Sequence, residues 1–68
     1  MSTVTDQAFG VIDEFITAVL DGKFVLFDEK VNKFFNYAQD VQLERKSGKV
    51  NAGKAEMLAG LITVTFPI

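Results

Sequence analysis

The sequence predicts an all-α fold: a small three-helix domain with an extended C-terminal tail. Three observations carry this. Apolar residues recur at three- and four-residue spacing in Asp6–Leu20, in Val31–Leu43 and from Ala52 to Ile62. Stop and cap residues separate these stretches, namely Asp21-Gly22, Asp28, Ser47-Gly48 and Asn51. The 68 residues, 49% of them hydrophobic, include no cysteine and no histidine. Packing, without disulfide or thiolate-metal staples, must therefore hold the fold. The runner-up is α+β, with short strands at 23–27 and 61–66.

Met1–Thr5 reads as a short polar arm, with Thr3 or Thr5 available to cap the first helix. Asp6–Leu20 follows. Phe9, Ile12, Ile16 and Val19 form one apolar row, and Ala8, Val11, Phe15 and Ala18 form an adjacent one. The resulting face is broad enough to meet two neighbours. Gly10 costs about 1 kcal/mol relative to alanine inside a helix, so it suggests close backbone packing or simple tolerance. Gly22 suits the left-handed conformation at the helix end.

Lys23–Phe27, KFVLF, is too short for periodicity to decide between a core-closing connector and a strand. Asp28 is the expected N-cap of the second helix, with Glu29 in its first turn and Glu29–Lys33 at a favourable spacing. Val31, Phe34, Phe35, Ala38 and Val41 mark its apolar side. This stretch reads as the central helix of the core, fraying between Leu43 and Lys46. A hairpin through Val41–Val50 is its competitor.

Asn51 is the expected cap of a third helix. Ala55, Leu58, Ala59 and Ile62 form its core row, widened by Met57 and Leu61. Gly53 and Gly60 lower its propensity but suit close packing on the first helix. Beyond Leu61 the pattern changes, because Ile62, Val64 and Phe66 alternate with Thr63 and Thr65. The tail is expected to pack within the domain. Strand or arm exchange with a partner, and a helix continuing through Thr63, are the other readings.

One domain spanning 1–68 is the sensible unit at this length. No apolar stretch is long enough for a transmembrane helix, and the start lacks a secretory pattern. The expected location is cytoplasmic or within an assembled particle. The formal charge is −2. Residues 1–29 hold six acids against one lysine, and residues 30–56 hold six basic residues against three acids, leaving −5 and +3. Such polarity steers charged partners or head-to-tail assembly.

The chemistry of a reaction is hard to find. Without histidine or cysteine there is no imidazole base, thiol nucleophile or His/Cys metal cluster. Asp13-Glu14 and Asp28-Glu29 are adjacent pairs, which on a helix do not converge on a substrate. The run from Lys46 to Lys54 lacks the glycine spacing and Gly-Lys-Ser/Thr ending of a phosphate-binding loop. No catalytic residue, metal or cofactor is assigned, and the chain is not expected to be an enzyme.

The expected function is a protein-interaction or assembly module. It would act as a homo-oligomer, as a viral structural component or as a small inhibitor occupying another protein's surface. Its partner is a protein or a second copy of itself. Phe34, Phe35 and Tyr37 are the expected anchors, since buried aromatic groups dominate such contacts. Asp13, Glu14 and Arg45 are the expected rim. The alternative is a helical nucleic-acid binder using Arg45, Lys46, Lys49 and Lys54. The acidic first helix disfavours this alternative, and likewise disfavours binding to an anionic membrane.

Overall fold

The structure is a computed structural model and describes residues 3–66. Three helices follow one another, α1 (Thr3–Leu20), α2 (Glu29–Lys46) and α3 (Ala52–Thr65). The fold is all-α, and the described residues contain no β-strand. The runner-up strands at 23–27 and 61–66 are therefore absent, as is the hairpin through Val41–Val50.

Local chemistry sets most boundaries. At the end of α1, Gly22 takes φ +80°. Its N–H donates to the Val19 carbonyl at 3.1 Å, and the Lys23 N–H donates to Ala18 at 2.9 Å. This crossed pair satisfies the last carbonyls of the helix. The same arrangement ends α2, where Gly48 takes φ +90° and the Lys49 N–H reaches the Glu44 carbonyl at 2.9 Å. Asp28 caps α2, its Oδ1 accepting from the N–H groups of Lys30 at 2.9 Å and Val31 at 3.3 Å. Asn51 caps α3 by accepting from the Lys54 N–H at 3.0 Å.

Two ends differ from expectation. Helix α1 begins at Thr3, so Thr3 and Thr5 lie inside it. The Thr5 hydroxyl donates to the Glu56 carboxylate at 3.3 Å and joins the N-terminal halves of α1 and α3. The extended tail is the second correction. Leu61–Thr65 continue α3, and the Phe66 N–H donates to the Ile62 carbonyl at 2.8 Å. A strand would have put Ile62, Val64 and Phe66 on one face. The helix buries Ile62 and Phe66, four apart, and leaves Val64 exposed. The Thr63 hydroxyl bonds back to the Ala59 carbonyl at 2.8 Å, which lets a β-branched residue sit in the last turns. Met1, Ser2, Pro67 and Ile68 lie outside the described residues.

Helix α1, not α2, organises the core. It buries Ala8, Phe9, Ile12, Phe15, Ala18 and Val19, whereas α2 buries only Val31, Ala38 and Val41. The largest fully buried side chains, Phe15, Ile12 and Ile62, come from α1 and α3. Each such burial is worth about 1.5–3 kcal/mol. Helices α1 and α3 run parallel and make the most extensive contact, and α2 and α3 make the slightest. Small buried residues, Ala8 and Ala18 on α1 with Ala55 and Ala59 on α3, permit that approach. The glycines do not serve it: Gly10, Gly53 and Gly60 are all exposed. The reason α2 falls to the flank is its shorter apolar arc, in which Phe34 and Phe35 are only half-buried.

Four phenylalanines close the end of the bundle where α1 and α3 finish and α2 begins. Phe66 stands 5.1 Å from Phe15, 5.4 Å from Phe24 and 5.3 Å from Phe34 between ring centroids. The last two meet edge to face, the arrangement that ring quadrupoles favour. Phe24 thus anchors the α1–α2 connection inward. The rest of KFVLF turns outward. The Asp28 N–H donates to the Val25 carbonyl at 3.0 Å, closing a turn with Leu26 and Phe27 at its corners. Val25, Leu26 and Phe27 are exposed, Phe27 at 98%.

Candidate protein-interaction groove

The slight contact between α2 and α3 leaves an open groove of about 590 Å³ between them. Leu58 and Phe34 form its floor, and Tyr37, Met57 and Leu61 its walls. Leu58 is buried, but Met57 is 64% exposed and Leu61 47%. Apolar carbon is therefore presented to water along a trough. Phe34 is held in place by its edge-to-face contact with Phe66, so the floor is continuous with the core.

The rim is cationic. Lys30, Lys33 and Lys54 border the groove, with Glu29 the acid among its lining residues. Lys54 is tied to Glu44 at 3.3 Å, the one side-chain ion pair among the described residues. Among the described residues, no acid lies within 4 Å of the Lys30 or Lys33 ammonium. The favourable spacing of Glu29 and Lys33 does not close into a pair.

The structure brings only some of the expected anchors together. Phe34 and Tyr37, three residues apart on α2, share the groove. Phe35 packs half-buried against the core and is not among the groove's walls. The expected rim lies elsewhere. Asp13 accepts a hydrogen bond from the Gln42 side chain on the α1–α2 face. That face holds a second open depression with Ile16, Leu43 and Lys46. Glu14 is exposed on α1 and borders neither hollow. The Arg45 guanidinium lies 4.5 Å from the centroid of the Phe9 ring, a cation–π contact that covers the core.

The basic segment is dispersed. Arg45 sits over Phe9, Lys46 borders the α1–α2 depression, Lys49 lies in the turn after Gly48, and Lys54 borders the groove. These four cations do not form one stripe along which a phosphate backbone would run. No helix of the described residues is long and apolar enough to cross a membrane.

Sequence reasoning missed Met57 and Leu61 as surface residues, and Lys30 and Lys33 as rim. A signal was present. Met57, Leu61 and Val64 fall at i, i+4 and i+7, a second helical row beside the core row of α3. Reading residues beyond Leu61 as alternating broke that row in two. No protein-family model, curated protein or solved structure gives a significant match to the chain.

Proposed function

We propose that this chain is a non-enzymatic protein-interaction module whose binding surface is the α2–α3 groove. The observation that carries the reading is the exposure of Met57, Leu61 and Tyr37 over a floor joined to the core. Contiguous exposed apolar surface rimmed by polar residues is the kind of surface that marks protein contact sites. Met57 and the lysine stems are flexible and adapt to an incoming side chain. An open trough also suits a row of protein side chains, as in helix-in-groove recognition, better than a small molecule needing enclosure. The cationic rim selects an apolar segment flanked by acids. A place in the cytoplasm or in an assembled particle goes with this reading, as does action as an assembly subunit or an inhibitor.

The chain supplies its own probe. It has one tyrosine and no tryptophan, so its tyrosine emission reports the groove alone. A synthetic peptide of leucine and phenylalanine flanked by glutamates is expected to change Tyr37 emission saturably. The same peptide with lysines in place of glutamates is expected to bind at least tenfold more weakly. Equal response to both, or none to either, contradicts the proposal.

A further inference from the structure

The occupant of the groove can be sought on the molecule itself. We infer that the groove receives the Val25–Glu29 turn of a second copy of this chain, in a reciprocal two-fold dimer. The inference rests on the groove reading above and names its partner.

The turn is unusual in its chemistry. Corners of turns are ordinarily taken by Gly, Pro, Asn, Asp or Ser. Here Leu26 and Phe27 occupy them, and Phe27 is 98% exposed. The turn is also fixed on both sides. Phe24 is pinned between Phe15 and Phe66 before it, and Asp28 caps α2 after it. An apolar knuckle held in one conformation loses little freedom on docking.

Charge favours the pairing. Asp28 and Glu29 follow the knuckle directly, and Lys30 and Lys33 on the groove's rim have no ion-pair partner among the described residues. Facing two grooves directly would instead oppose lysine to lysine. Position favours it too. Glu29 and Lys30 line the groove, so the knuckle borders the mouth of the site it would fill on its neighbour. A two-fold axis beside that mouth places each turn in the other copy's groove, the self-complementary pattern of an isologous dimer. One contact then covers the apolar knuckle and the groove together. A contact of about 800 Å² per partner, typical of stable complexes, would take roughly a sixth of the 4587 Å² surface.

The chain has no cysteine, so single cysteines report contacts cleanly. Val25→Cys chains are mixed with size-tagged Met57→Cys chains and treated with a short bismaleimide. A tagged heterodimer is expected. It should be several-fold more abundant than with Gln39→Cys, which borders the α1–α2 depression. Adding Phe27→Ser to both chains is expected to abolish the product and leave the far-ultraviolet circular dichroism unchanged. Equal cross-linking through Gln39, or a product that survives Phe27→Ser, overturns the inference. So does light scattering that finds only monomer up to millimolar chain. In that last case the Tyr37 titration still judges the groove by itself, because it needs no second copy.

Discussion

Two phenylalanines of this chain should respond to the same substitution in opposite ways. Phe66 is 8% exposed and meets three other rings between 5.1 and 5.4 Å. Truncation to alanine removes its burial and opens a cavity, costing about 3–5 kcal/mol. A 68-residue chain at typical stability per residue holds roughly 3–10 kcal/mol. Phe66→Ala is thus expected to consume most of the margin and leave a largely unfolded population at 37 °C. Phe27 touches almost nothing in the single chain, so Phe27→Ala is expected to change stability by less than about 0.5 kcal/mol. Urea titration followed by circular dichroism measures both. It is done at low micromolar chain, because association adds to the apparent stability of the parent. A Phe27→Ala loss above about 1 kcal/mol there, or a Phe66→Ala loss below about 1 kcal/mol, would refute the division between core and contact surface.

Other expectations follow from backbone and surface. Gly10→Ala and Gly60→Ala each place a Cβ where nothing lies within 4 Å, and both are expected to raise stability by up to about 1 kcal/mol in thermal melts. Gly22→Ala, at φ +80°, should lower it by about 1–2 kcal/mol. Arg45→Ala removes the cation over Phe9 and should cost about 0.5–1 kcal/mol in the same melts. Fluorescence anisotropy with labelled DNA or RNA at low salt is expected to show no binding. Tight binding that weakens with salt would restore Arg45, Lys46, Lys49 and Lys54 as a site.

What could be read from the sequence was whatever local chemistry decides. Asp28, Asn51, Gly22 and Gly48 act within a few residues of themselves, and they set the helix ends where expected. The core row of α3, from Ala55 to Ile62, was equally plain. The ranking of helices was not, because it depends on how three faces share one core. The phenylalanine pair in α2 drew the eye, yet the broader arc of α1 took the centre. Val64 shows the limit of short patterns: its alternation with Thr63 and Thr65 suggests extended chain, whereas it belongs to the helical row of Met57 and Leu61. The groove was least legible. Of the residues expected at a protein contact, Phe34 and Tyr37 line it and the others do not, because the gap between α2 and α3 arises from packing elsewhere.

The groove as a contact surface is tested most directly by amide chemical shifts of the unmodified chain across a concentration series. Concentration-dependent shifts are expected at Lys33, Tyr37, Met57 and Leu61, together with Val25–Phe27. None is expected at Asp13, Gln39 and Lys46 on the α1–α2 face. Shifts on the α1–α2 face, or a spectrum unchanged from micromolar to millimolar chain, would contradict this contact surface.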